Sequence, residues 1–346
     1  MIINYIAEPS YTKTVWFKET LNGIKEKSNS LRYSLNQIEA TNITNNINIL
    51  MIIGTSMSWV SKILENCNKY DITPIVVSCH PINNSNNSNY VLINHDAATK
   101  ECIEYLKQCG KQNIALYGVN SDSYADNIKV NYFEKENIYY IKNNLSACFD
   151  EFIKNNKYDA VICTNYISAI HLINKLKDKD IKVPDDMYVV AYGDSVLGKK
   201  IAPSLTTNTL DHKSLGYQAV QLYRYIYKNT TRVAVTVSLP CKIIPAESTE
   251  NKDCKKLNTN YSYEDFDSFS NDNDILEIQS LEKFLRVADH IDFMIIDSML
   301  KKESLSKMSD KLYVSESSIK YRIKKLLSIS GFDTFSKLIE AYERYL

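Results

Sequence analysis

From residue 2 to about residue 245, short apolar runs alternate with helix-period segments, and this alternation restricts the chain to a narrow set of folds. The runs fall at 2–7, 34–39, 49–53, 75–78, 90–93, 114–119, 160–164 and 187–192. Between them lie helical stretches at 14–28, 97–109, 168–177 and 214–227; the first sets Val15, Leu21 and Ile24 near one face. Strand and helix in turn at this spacing mean βαβ units and a parallel sheet covered on both faces. Eight strands are many for one small doubly wound domain, so two Rossmann-like lobes with a cleft between them are expected. Such sheets bind ligands beyond the C-terminal ends of their strands. Here those ends carry Glu8-Pro9-Ser10-Tyr11, Gly54-Thr55-Ser56, Cys79-His80, Asn120-Ser121, Asn165-Tyr166 and Gly193-Asp194. A strand must end in a turn whatever its function, and that plainer reading holds equally for any one loop.

Several function classes fall away. No stretch reaches the ~18 apolar residues of a membrane span. The N-terminus has no basic region or small-residue cleavage site before Glu8 and Pro9, which points to the cytoplasm. The eight cysteines form no C-x-x-C pair, so reduced, structural thiols are expected and no metal site. No Gly-rich phosphate loop and no Ser/His/Asp set stand out, and the five histidines are scattered, so neither an enzyme nor a cofactor is expected.

The formal net charge is zero, yet it is unevenly spread. Residues 246–274 hold eight acids against three lysines, a net of −5; residues 301–330 hold eight bases against three acids, a net of +5. The first segment reads as an acidic linker over 248–274 and the second as part of a helical unit over 275–346. Within that unit Leu305, Met308 and Leu312 share one face of a short helix. After a turn at Tyr313 and Val314, Ser315 is placed to cap a second helix, 315–327, whose buried stripe is Ile319, Ile323 and Leu326. Ser317, Ser318, Lys320, Tyr321 and Lys324 point elsewhere. Two short helices, a tight turn and a basic outer face make a helix-turn-helix over 304–327, with double-stranded DNA as partner. The plainer alternative is a solvated basic face on a small bundle.

Two resemblances sharpen these expectations. Leu312 to Leu327, followed by Ser330-Gly331-Phe332 and Phe335-Ser336-Lys337-Leu338-Ile339, resembles the LuxR-type helix-turn-helix, with Ser318 in place of that family's Thr and Tyr321-Arg322 near its usual His. It implies that Lys320 and Lys324 contact DNA beside Ser317, Ser318 and Tyr321. Residues 183–195, 202–207 and 215–220, with Trp16-Phe17 before the first helix, resemble the LacI/GalR regulators. This implies a periplasmic-binding-protein-like α/β fold with three crossovers over 1–247, a small-molecule effector and a homodimer. One lobe would be 1–94 with 210–230, the other 95–208 with 233–247. With the first strand starting at residue 2, that family's usual N-terminal DNA-binding headpiece is not expected here. A cleft lined by Tyr11, Trp16, Ser56, His80, Lys129, Asn165 and Asp194 is implied, but Gly193 replaces the family's first ligand-contacting Asp. Lys129 aligns with its cleft Arg, and a lysine cannot make a bidentate grip. A DNA-binding regulator is the leading reading; a solute receptor or a protein-interaction sensor without direct operator binding is the alternative.

Overall fold

A computed structural model describes residues 1–12, 15–77, 88–121, 123–155, 157–229, 234–249 and 272–346. The acidic segment expected to be a linker, and the loop holding His80, lie largely or wholly outside the described residues.

The chain builds β1 (Ile2–Ala7), α1 (Val15–Ser30), β2 (Ser34–Gln37), β3 (Ile49–Ile53), α2 (Met57–Lys69), β4 (Thr73–Val77) and β5 (Asn89–Ile93). It then crosses to α3 (His95–Gln108), β6 (Ile114–Val119), α4 (Tyr124–Val130), β7 (Ile138–Tyr140), α5 (Leu145–Phe152), β8 (Ala160–Cys163), α6 (Tyr166–Lys177), β9 (Tyr188–Tyr192), α7 (Val196–Lys200) and β10 (Thr206–Thr209). It returns through α8 (His212–Lys228) and β11 (Thr236–Leu239), and crosses once more to β12 (Lys242–Ile244).

The result is two six-stranded sheets, ordered β11-β5-β4-β3-β1-β2 and β12-β10-β9-β8-β6-β7. All pairings are parallel except β10 with β12. Strands β3, β6, β8 and β9 are buried along their whole length, as central strands covered on both faces must be. Three crossovers join the lobes, leaving the C-terminal ends of β5, β10 and β11. The C-terminal ends of the two sheets therefore face each other across the interlobe cleft.

The second lobe was expected to take residues 233–247, but β11 pairs with β5 and extends the first sheet; only β12 joins the second. Lobe one closes by packing α1 on α8. A Cβ on Gly23 would fall 2.1 Å from the Lys213 carbonyl oxygen, and one on Gly216 would fall 2.1 Å from that of Thr20. Glycine at both positions lets the two backbones touch.

Beyond residue 272 come α9 (Asn273–Val287), α10 (His290–Leu300), α11 (Leu305–Leu312), α12 (Glu316–Ser330) and α13 (Phe335–Tyr345). Helix α9 packs against α5, α6 and α7 of lobe two on one side and against α12 and α13 on the other. Ile275, Ile278, Leu281, Phe284 and Leu285 thereby join the core cluster of lobe two itself. Among the described residues no helix is long and apolar enough to cross a membrane.

Candidate functional site

Helix α11 starts at Ser304, whose hydroxyl accepts from the Lys307 amide, and ends at Tyr313, a left-handed residue with φ 55°. The turn is held by Ser309, which donates from its hydroxyl to the Val314 carbonyl at 2.7 Å. Ser315 then caps α12 by accepting from the Ser318 amide at 3.2 Å, and Gly331 ends it at φ 86°. Ile295, Met308 and Ile319 form a small buried core, with Leu305, Leu312, Val314 and Ile323 packed around it. With that side of α12 sealed, Ser317, Ser318, Lys320, Tyr321 and Lys324 are all exposed, as is Lys325. None of these lysines is in an ion pair among the described residues. Arg322 behaves differently. Its guanidinium turns to the start of α10 and contacts the Asp289 and Asp292 carboxylates at 2.9 Å each. It belongs to the scaffold, while the lysines of the same helix face outward.

The helical unit is fixed to lobe two by three acids on or beside α9. Asp272 accepts from the Leu145 amide at the start of α5 at 2.7 Å. Glu282, 2% exposed, accepts from the Val196 and Leu197 amides at the start of α7 at 3.0 and 2.7 Å. Asp274 meets Ser146 at 2.7 Å and His171 at 3.2 Å. Free N–H groups at a helix start need an acceptor, and here the C-terminal unit supplies it. The contact with His171, aided by the Ser146 hydroxyl, holds the Asp274 carboxyl well below the usual carboxylate range.

No Ser/His/Asp set stands out in the sequence, yet Ser146, His171 and Asp274 meet here. Both oxygens approach the same ring nitrogen, His171 Nε2. A catalytic triad needs the carboxylate on one ring nitrogen and the hydroxyl on the other. His171 is moreover 2% exposed beneath α9, so the trio acts as a clamp.

At the cleft, the expected ligand contacts are largely engaged within the protein. Lys129 is 2% exposed. Its ammonium lies 2.9 Å from the Asp126 carboxylate and 4.5 Å from the centre of the Tyr192 ring. Asn165 caps α6, accepting from the Ser168 amide at 2.8 Å. Asp194 is paired with Lys199 at 2.6 Å, and burial pushes its carboxyl up. Tyr11 is half-buried against Trp16, their rings 5.8 Å apart, and Trp16 is buried with the His212 ring 6.4 Å away. Ser56 is half-buried at the start of α2, and His80 lies outside the described residues.

Glu8, which the sequence placed only in a loop, is the organising group of lobe one's cleft edge. Its buried carboxylate accepts from the Thr55 and Ser56 amides at 2.9 and 3.1 Å and from the Ser10 hydroxyl at 3.3 Å. Nothing local signals the two amide contacts, because those partners lie 47 and 48 residues away. Another opening, a surface pocket of about 350 Å³ beside Lys107, Tyr132, Lys157 and Tyr158, lies at the opposite pole of lobe two, by the N-terminal ends of β6 and β8. Among the described residues no group of three or more side chains could hold a metal ion. Burial pushes the Cys67 and Cys148 thiols up to about 12 and that of Cys102 to about 11, so these three are packing groups.

Comparison with known proteins agrees with this architecture. Residues 103–249 match the family model of the periplasmic binding protein-like domain. The chain is 25% identical over 178 residues to the HTH-type transcriptional regulator pepR1 of Lactobacillus delbrueckii subsp. lactis, a match that spans 47% of this chain and 52% of that one. It is 23% identical to the HTH-type transcriptional repressor PurR of Histophilus somni, over 61% of this chain and 70% of the relative. It is 22% identical to the HTH-type transcriptional regulator GalR of Streptococcus thermophilus, over 72% of this chain and 81% of the relative. The alignment thus spans about half the length of pepR1 and more of the other two. Among solved structures, transcription regulator CcpA of Lactococcus lactis superposes with a TM-score of 0.57 at 16% identity, covering 72% of this chain and 100% of that one. A LacI family transcriptional regulator from Enterococcus faecium with bound ribose gives 0.55 at 17% identity, covering 72% and 98%. Residues 103–249 therefore match the periplasmic binding protein-like domain, and the two-lobed fold of residues 1–249 is similar to that of solved transcription regulators.

Proposed function

We propose that this chain is a cytoplasmic, homodimeric transcription regulator that binds operator DNA through the LuxR-like helix pair α11–α12 and responds to a small effector held between its lobes. The observation that carries the reading is the two-sidedness of α12. Its inner face seals a small core, its one arginine is drawn inward to Asp289 and Asp292, and Ser317, Ser318, Tyr321 and its lysines stand exposed together. A helix ~10–12 Å across fits the ~12 Å major groove. Lysines neutralise phosphates there, and hydroxyls at the helix start reach phosphates or base edges. The HTH-type transcriptional regulators among the similar proteins support a role in transcription; the assignment of DNA contact to α12 rests on its exposed face alone.

The cleft chemistry narrows the effector. Lys129 and Asp194 are already neutralised by Asp126 and Lys199, so recognition falls to uncharged polar groups and to the rings of Tyr11 and Trp16. An effector can act only by binding one lobe arrangement better than another. Since α9 fixes the helical unit to lobe two, lobe closure carries α12 with it.

The test is binding of duplex DNA by the Lys320→Ala/Lys324→Ala double variant across a salt series. Each phosphate contact contributes about 0.9 to the slope of log K against log salt. Loss of two contacts is expected to weaken binding to every duplex and to lower that slope by about 1.8. Wild-type affinity and slope in the double variant would remove α12 from the DNA interface and leave the sensor without direct operator binding.

A further inference from the structure

Tyr313 sits in the turn between α11 and α12 with φ 55° and ψ 36°, in the left-handed region. A side chain with a Cβ is strained there, and a bulky one is a conformational outlier. Helices that end in this conformation usually place glycine at that position. The same chain does so at the end of α12, where Gly331 adopts φ 86°. The other described non-glycine residues at positive φ are Arg32, Asp71, Asp180 and Lys302; Tyr313 is the one aromatic among them. Its side chain buries nothing in return, for it is 94% exposed, the most exposed of the large hydrophobic residues described.

The left-handed backbone is the cap that ends α11, but nothing in the fold calls for a large ring there, standing in solvent. Strain of this kind collects at functional sites. The position suggests which one. Tyr313 lies two residues before the cap of α12, the end of a recognition helix that enters the groove first. The backbone around it is pinned: Val314 donates its amide to the Ser309 carbonyl at 3.3 Å and receives the Ser309 hydroxyl on its own carbonyl at 2.7 Å. The ring is thus carried on a rigid turn beside the exposed Ser315, Ser317 and Ser318 hydroxyls.

We infer that Tyr313 is a DNA-positioning residue outside the recognition helix, its phenol donating a hydrogen bond to a non-bridging phosphate oxygen at the groove edge. The inference rests on the DNA-binding reading of α12 and deepens it. Tyrosine hydroxyls are ordinary phosphate donors, and such contacts set register without reading sequence.

The test uses the full chain, a duplex of random sequence at low salt, and three variants: Tyr313→Gly, Tyr313→Phe and Lys320→Ala/Lys324→Ala. Glycine fits the left-handed turn, so Tyr313→Gly is expected to fold and to melt a few degrees higher than wild type. Its affinity is expected to fall about tenfold while the salt slope stays unchanged, because no charge is removed. Tyr313→Phe is expected to lose most of the same affinity. Wild-type affinity in Tyr313→Gly, with the lysine variant still weakened, overturns this inference and leaves the reading of α12 standing. Wild-type affinity in Tyr313→Phe overturns the phosphate bond. Failure of the wild-type chain itself to bind duplex DNA overturns both.

Discussion

Replacing Glu282 by alanine tests whether the helical unit is fixed to lobe two as described. The carboxylate is buried, and it accepts from the Val196 and Leu197 amides at 3.0 and 2.7 Å and from Arg286 Nε at 3.0 Å. Hydrogen bonds to a charged group contribute about 1.5–3 kcal/mol each. Arg286 is partly exposed and can turn to water, so its loss is discounted. The two amides cannot turn away: Leu197 is fully buried, and both belong to the first turn of α7. Alanine would leave both without an acceptor, and the expected loss is about 3–5 kcal/mol, a large share of the ~5–15 kcal/mol that stabilises a typical domain. Glu282→Gln keeps one carbonyl oxygen but turns an N–H group toward a second N–H, so about half of that loss is expected. Urea unfolding measures the loss, and amide hydrogen exchange locates it, with protection falling at Val196, Leu197 and along α9. A loss below about 1 kcal/mol in Glu282→Ala, or retained protection at those two amides, would refute the argument.

Two other perturbations have expected signs. The Asp274 carboxyl is held below its unfolded value of ~3.9, so the clamp contributes stability above about pH 4 and loses it as the pH falls further. Urea midpoints measured down to about pH 2 should drop less steeply for Asp274→Asn than for wild type; equal slopes would remove this group from the acid response. Gly216→Ala adds a better helix former by about 1 kcal/mol, yet its methyl would meet the Thr20 carbonyl oxygen at 2.1 Å, and overpacking costs about 1–3 kcal/mol or more. Net destabilisation is expected in thermal melts, and a stabilised variant would show that α1 and α8 can part freely.

The parts of the fold legible in the sequence are those whose signal is local. Continuous apolar runs marked β1, β3, β6 and β8 to within a residue or so, and the 3.6-residue period marked α11 and α12. Strand β10, Thr-Thr-Asn-Thr, was invisible because it is polar and buried at once. The Thr206 hydroxyl accepts from the Ala246 amide and its own amide donates to the Ser248 hydroxyl, so its burial depends on a segment 40 residues away. Strand β11 was missed as a strand, and its residues were given to the wrong lobe, because its partner β5 lies far upstream. The charge map misled in an instructive way. Asp272 and Asp274 were counted with the acidic linker, and Arg322 with the basic surface, whereas all three are docked inside the fold. Charge counts locate a domain's field but cannot say which charges are spent on internal contacts. The side chains that α12 exposes are legible in the sequence because amphipathic periodicity speaks directly to side-chain direction.

The shared core under α9 also determines how this protein can be divided. Ile278, Leu281 and Phe284 complete an apolar layer that Leu145, Ile170 and Leu197 begin. A fragment ending at residue 249 would open that seam to water as an oily trough, with two helix starts stripped of their acceptors. Lobe two and the helical unit share one core here, so cutting the chain at residue 249 is expected to weaken lobe two.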